Sequence, residues 1–246
     1  LGICAVTIGT IILPDLTGYA KKQEWDNFNG LLGQSVKIMA LIAVPITFYS
    51  LLMSENIISL IFSGGKFNAD SVKMTMEVFN FHIIGLFFIA VNRIVSPAFY
   101  AQQNTKSPTI AGLVNFAVNI TLASLLAGNY KGRGIAIALT AASAVNTAVL
   151  FFFLKKTKGI EVGKLVKSII AYTLKIAVFS LIASVPVYFM KDAVIGFFAG
   201  HTRIVSHGIP VAATAAVFGI VGIILLFATK DGIVKAAAGK IKRRSK

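Results

Sequence analysis

Acid is scarce in this chain: 9 Asp and Glu stand against 24 Lys and Arg in 246 residues. A membrane enzyme needs positioned carboxylates for general-base or metal work, and none converge within the apolar runs. Cysteine occurs once, as Cys4, which excludes an intramolecular disulfide framework and any site built on several thiolates. The histidines are His82, His201 and His207; the last two share a loop with no third ligand type nearby, which argues against a zinc site. No glycine-rich phosphate loop follows a strand, because no strand is predicted. Charged residues make up only 13% of the chain at a mean hydropathy of +0.80, against about 25% in soluble domains. A water-soluble fold is therefore excluded.

What the chain has instead is long apolar runs. They cover Leu1 to Leu13, Val36 to Met53, Phe79 to Tyr100, Thr109 to Ala127, Gly134 to Leu154, Ile169 to Phe189 and Ile209 to Thr229. A bilayer core of about 30 Å needs about 20 apolar residues in a helix. Within hydrocarbon each backbone polar group must be satisfied inside its own segment or in a closed barrel; runs of this length without period-2 alternation mean helices. The expected fold is all-α and polytopic, with about six complete transmembrane helices and one truncated helix. The first run spans only about 20 Å and opens without a charged leader, so it is expected to be a span cut short, not a signal peptide.

Basic residues orient the spans, because cytoplasmic loops near span ends are enriched in them. Lys21, Lys22 and Lys106, the five lysines of 155–168 and the seven basic residues from Lys230 onward place 15 on one face. The opposite face holds Lys66, Lys73, Lys131, Arg133, Lys191 and Arg203. The C-terminus is thus expected in the cytoplasm. The net charge of +15 sits beside spans and is not interleaved with aromatics on a soluble face, so anionic membrane lipids are the expected partners and nucleic acid is not. The segment KKTKGIEVGKLVKS at 155–168 has the pattern of a basic helix lying on the inner surface. Gly134, Ala138 and Ala142, and in the last run Ala212 with Ala216 and Ala215 with Gly219, are small residues at four-residue spacing, which suits close helix packing.

Ionisable groups inside apolar runs carry the most information, since each costs about 2.5–3.5 kcal/mol at mid-span. Arg93 lies seven residues before Tyr100, hence about 10 Å from the helix end. At 100° per residue His82, Arg93 and Tyr100 fall within about 20° of one another, which suggests one stripe facing an interior. A charge pair there, at 4 Å and an effective dielectric near 20, is worth about 4 kcal/mol. The alternative is that Arg93 snorkels to the headgroups. Asn115 and Asn119 share a helix face and could bond a ligand, a cation or another helix. Glu77 as a coupling acid, Lys175 as a ligand and His82 as a proton relay are further candidates.

The segment RIVSPAFYAQQNTKSPT, through Pro97, Phe99, Tyr100, Ala101, Asn104, Thr105, Lys106 and Pro108, resembles a hallmark of the MurJ (MviN) lipid II flippases. GTIILPDL at 9–16 and LIFSGGKFNADS at 60–71 are similar to two further pieces of that family. The resemblance implies the C-terminal lobe of a two-lobed flippase with two extra C-terminal helices, in a bacterial cytoplasmic membrane, within the multidrug/oligosaccharidyl-lipid/polysaccharide exporter superfamily. It divides the chain into lobe helices at 1–154, an interfacial linker at 155–168, two last helices at 169–229 forming an apolar groove for a lipid tail, and a basic cytoplasmic tail at 230–246. The substrate it implies is a polyprenyl-pyrophosphate-linked glycan precursor, lipid II, moved to the outer leaflet by alternating access. Arg93 would face the headgroup, with His82, Tyr100, Asn115 and Asn119 as further substrate-binding candidates. No catalytic residue, metal or cofactor is implied, and no coupling ion is specified. Another polysaccharide-lipid flippase or drug exporter of the superfamily is the alternative, and a polyprenyl-phosphate enzyme a more distant one.

Overall fold

The computed structural model describes residues 2–157 and 159–234. Leu1, Lys158 and residues 235–246 lie outside them, and with them most of the basic tail expected at 230–246. Among the described residues the chain folds as helices α1 (Gly2–Lys22), α2 (Trp25–Leu52), α3 (Ser54–Phe62), α4 (Ala69–Tyr100), α5 (Lys106–Lys155), α6 (Val162–Phe197) and α7 (Ile209–Ala228), with a π-helical turn at Ile204–Gly208 before α7. Extended pairing is limited to a bridge between Gly64 and Phe67. Six of these helical stretches are long and apolar enough to cross a bilayer. The all-α, polytopic fold class stands.

Helices outrun the apolar runs that announced them, because hydropathy marks the hydrocarbon-length segment while the helix continues into polar surroundings. α4 starts at Ala69, ten residues before Phe79, where Asn68 Oδ1 accepts the Ser71 N–H at 3.0 Å and so caps the first turn. α1 is 21 residues long, about 31 Å at 1.5 Å per residue, and is not limited to the 13-residue apolar run. It passes through Pro14, which withdraws the N–H that would otherwise bond the Thr10 carbonyl, and Leu16 beyond it is fully buried. α5 contains two of the expected runs in one 50-residue helical stretch, broken at Lys131 (φ 50°, ψ −132°). Gly134 lies just beyond that break, and a Cβ there would fall 2.5 Å from the Leu126 carbonyl oxygen; the reversal therefore needs glycine.

The chain divides into two compact units, one made of Leu1–Thr47 with Glu77–Leu174, the other of Phe48–Met76 with Lys175–Lys246. In the first, Phe28, Leu32, Val36 and Met39 place one stripe of α2 against Leu16, Ile94, Val95, Ala98, Phe99, Leu150 and Leu154. The small stripe of α5 behaves as its spacing suggests: Gly134, Ala138 and Ala142 are all buried. The linker differs from expectation. Residues 155–168 do not form a separate surface helix; Lys155 ends α5 and Val162 opens α6. Ile160, Val162 and Leu165 are buried in the core of their own unit, so the apolar side of this segment packs on α2. Asn29 Nδ2 donates to the Gly159 carbonyl at 3.0 Å, and Gly159 (φ +79°) lies so close to Trp25 that a Cβ would meet its ring at 2.3 Å.

In the second unit the core is Met53, Ala183, Val187 and Phe218. Tyr49 donates to the Val211 carbonyl at 2.6 Å. α7 buries Pro210, Thr214 and Phe218, whereas Ala212 and Ala216 are exposed and Ala215 and Gly219 half-buried. The small-residue stripe expected to pack is therefore not the packed face; the i, i+4, i+8 row with Phe218 is. Beyond the end of α7, Asp231 receives Lys175 Nζ at 2.6 Å and is itself almost wholly buried. Its Oδ1 also accepts the N–H groups of Ile233 and Val234. Burial alone would raise the Asp231 pKa, but the Lys175 hydrogen bond, these two N–H bonds and the Lys175 charge outweigh it and hold the carboxyl below its ordinary value.

Two outcomes follow from these contacts. Gly159→Ala is expected to destabilise the protein by about 2 kcal/mol, through a forbidden backbone conformation and collision with the ring. Thermal unfolding in detergent, read by fluorescence of Trp25, the single tryptophan, checks this, and an unchanged midpoint contradicts it. For Asp231 a lowered folded-state pKa means stability that is present above the unfolded value near 3.9 and lost as pH falls through the folded value. Asp231→Asn should therefore cost about 1–3 kcal/mol at pH 7 and progressively less below about pH 4, measured as the difference in unfolding midpoint between the two proteins across pH.

Candidate functional site

The first unit carries a groove of about 540 Å³ on the faces of α1, α4 and α5, with Val6, Leu13 and Ile89 giving it a largely apolar lining into which a few polar side chains are set. α4 supplies Asn92, Arg93, Ser96, Pro97 and Tyr100, α5 supplies Asn115, Ser143 and Asn146, and α1 supplies Gly9 and Thr10. Their convergence follows from helix geometry: Asn92, Arg93, Ser96 and Tyr100 recur at three- to four-residue spacing, which keeps them on one side of α4.

The two helices are tied by a buried polar network. Asn92 Nδ2 donates to the Ser143 carbonyl at 3.1 Å, and Thr147 Oγ1 donates to Asn92 Oδ1 at 2.7 Å. One full turn of α5 is thereby fixed against Asn92, and the neighbouring Arg93 is left pointing to the groove. Arg93 is exposed and has no carboxylate partner among the described residues, whose ion pairs are Arg133 with Glu77, Lys164 with Glu161 and Lys175 with Asp231. A guanidinium offers five donors and no acceptor, so the groove holds an unmatched positive donor fork. Asn115 Oδ1 and Asn146 Oδ1 are buried without a hydrogen-bond partner.

Of the predicted site residues, the structure brings Arg93, Tyr100 and Asn115 to this groove and leaves His82 and Asn119 off its lining. His82 shares the azimuth of Arg93 but lies eleven residues away, about 16 Å along the axis. The segment that carries the family resemblance is the end of α4, the turn at 101–105 and the start of α5. Phe99 and Ala101 are buried, Gln103 takes φ +57°, and Asn104 Oδ1 accepts the Ser107 N–H at 3.1 Å as α5 begins. Arg93, Ser96, Pro97 and Tyr100 of that segment, all on α4, reach the groove. Glu77 pairs with Arg133 at 3.3 Å, and Lys175 pairs with Asp231, so each candidate acid or base there has a structural partner. Asn92, Ser143 and Asn146 were not singled out in the sequence; an amide within an apolar run was the available signal.

The second unit carries an apolar groove of about 450 Å³, lined by Phe48, Leu51 and Leu52 of α2 and Leu181, Ser184, Val185, Tyr188 and Phe189 of α6. An apolar groove had been expected from the last two helices together. α6 contributes to this one, but its other wall is the end of α2, and no α7 residue lines it.

The family described as lipid II flippase MurJ matches residues 1–230. A probable lipid II flippase MurJ of Treponema pallidum is 40% identical over 242 residues, 98% of this chain and 46% of that protein. One of Bdellovibrio bacteriovorus is 28% identical over 175 residues, 71% of this chain and 34% of its own. The chain thus spans less than half the length of these curated relatives. Among solved structures, a lipid II flippase MurJ in an inward closed conformation is similar at a TM-score of 0.71 and 23% identity, over 93% of this chain and 44% of that one. An inward-facing multidrug resistance transporter of the MATE family, in the MOP superfamily, is similar at 0.56 and 17%, over 96% and 55%. Both likenesses establish the fold.

Proposed function

Because this chain belongs to the lipid II flippase MurJ family, we propose that it works as the part of a flippase that holds the anionic headgroup of a polyprenyl-pyrophosphate-linked peptidoglycan precursor during its transfer to the outer leaflet. The observation that carries this is Arg93, a groove-lining guanidinium without a carboxylate partner among the described residues. A planar fork matches phosphate oxygens in pairs. One such contact, at 4 Å and an effective dielectric near 20, is worth about 4 kcal/mol, which offsets the placement of the charge in a span.

The remaining parts fit the same chemistry. Tyr100 offers a hydroxyl on the same groove as Arg93. The second unit's groove, lined by leucines and aromatics, suits a polyprenyl chain. The substrate leaves as it came, with no bond made or broken, so the protein is a transporter and not an enzyme, in a bacterial cytoplasmic membrane. The 15-to-six distribution of basic residues supports a cytoplasmic C-terminus. Alternating access supplies the movement; a fold shared with a MATE transporter is in keeping with it.

Arg93→Ala in the native gene product is expected to abolish lipid II externalisation while leaving insertion and abundance unchanged, and Arg93→Lys to restore part of it, since the charge survives but the fork does not. Complementation of cells depleted of the protein, with surface lipid II measured directly, tests this. Normal growth and normal surface lipid II on Arg93→Ala would defeat the proposal.

A further inference from the structure

Arg93 stands at an interrupted turn of α4. Proline carries no N–H, so Pro97, four residues further on and inside the helix, cannot donate to the Arg93 carbonyl, and helices bend where such a bond is missing. α5 braces one side of this place: Asn92 donates to the Ser143 carbonyl and accepts from Thr147. α1 braces the other. Its residues Ala5, Ile12 and Leu16 share a core with Ile94, Val95 and Ala98 of α4, and Gly9 is buried on the same side of α1. At Gly9 the two backbones come so close that a Cβ would fall 3.0 Å from the Arg93 carbonyl oxygen and 3.5 Å from Pro97 Cγ. Glycine thus lets the α1 backbone lie against the carbonyl that Pro97 leaves without its helical donor. Cα–H groups at such helix contacts supply a weak bond to a carbonyl oxygen.

We propose that Gly9 is a positioning residue for Arg93: by admitting the α1 backbone against the Arg93 peptide group, it closes the interrupted turn at 93–97 and fixes where the guanidinium stands in the groove. The inference rests on the headgroup assignment above and adds how that contact is held. A methyl at position 9 is not absorbed by a side chain moving aside, because the first atom it meets is backbone. Behind that backbone Val91, Ile94 and Val95 are buried in the core. The strain therefore goes into bending α4 at its missing bond or into lifting α1 away, and either displaces Arg93. A bidentate fork on phosphate oxygens tolerates little displacement, whereas a single ammonium on a flexible stem follows the anion.

The test measures binding of two lipids to the native gene product in nanodiscs: polyprenyl diphosphate, which presents the anion, and the uncharged polyprenol of the same length. Gly9→Ala should weaken the diphosphate about tenfold and leave polyprenol binding unchanged. The same substitution added to Arg93→Ala should have no further effect on the diphosphate, and added to Arg93→Lys only a small one, because no fork is left to misplace. Pro97→Ala returns the N–H to the Arg93 carbonyl and removes the ring beside position 9. Adding Gly9→Ala to Pro97→Ala should therefore cost less affinity than adding it to the wild type. Where Gly9→Ala alone yields too little protein, the Arg93→Ala comparison is made in the Pro97→Ala background. A loss of equal size with and without Arg93, an equal loss on both lipids, or no loss on either would overturn the inference. An Arg93→Ala protein that binds the diphosphate as the wild type does would instead sink the headgroup assignment, a result read before position 9 is changed.

Discussion

Hydrocarbon offers no hydrogen-bond partner, and the structure is organised by that constraint. Backbone groups satisfy it by forming helices. Side chains satisfy it in a second way, by bonding back to their own helix: Thr17 to Leu13, Ser35 to Leu31, Thr47 to Ala43 and Ser180 to Ile176 all do so at 2.8–2.9 Å. Other polar side chains reach across to a neighbour, as Asn92 does to the Ser143 carbonyl and Thr140 to the Phe81 carbonyl. What these arrangements leave unmatched stands out. In the first unit Arg93, Asn115 and Asn146 share a groove and fail to find protein partners there.

The same constraint explains why the groove is a specific place and not a general polarity of the bundle. The Asn92–Ser143–Thr147 cluster consumes its own donors and acceptors and so works as a fastening between α4 and α5. Its neighbours Arg93 and Asn146 extend from that fastening with their polar ends uncommitted. Packing contributes through small and tightly buried residues, with Ala138 and Ala142 of α5 fully buried and Val91, Ile94 and Val95 of α4 in the core behind Arg93. A packed back wall holds Arg93 in place at the groove, and a charge within a span usually faces a cavity or a partner.

Much of this was legible in the sequence, and the parts that were not share a physical reason. Run length identified the helices because hydrocarbon thickness fixes it, but it understated α1, α4 and α6, whose ends lie in polar surroundings. Residues 155–168 read as a surface helix because lysine and apolar residues alternate there; Ile160, Val162 and Leu165 instead pack inward, and composition does not say which apolar partner a segment finds. Arg93 was conspicuous because a charge in an apolar run is expensive. Its stripe with His82 gave the correct azimuth but not the depth, since periodicity carries no limit along the axis. Asn92 and Asn146 were quieter, because an amide is cheaper to bury than a charge. Which of the two is satisfied and which is orphaned depends on Thr147, a contact between helices 55 residues apart in the chain.

The central claim is that Arg93 faces a ligand-accessible groove and not lipid. In the native gene product carrying Cys4→Ala, so that the exposed native thiol is absent, a cysteine introduced by Arg93→Cys can be tested with a membrane-impermeant thiol reagent in oriented vesicles. The account predicts labelling from the aqueous phase, with protection when the polyprenyl-diphosphate-linked precursor is added. A cysteine that no aqueous reagent reaches from either side, while remaining reactive toward lipid-soluble reagent, would place position 93 against the bilayer and contradict the account.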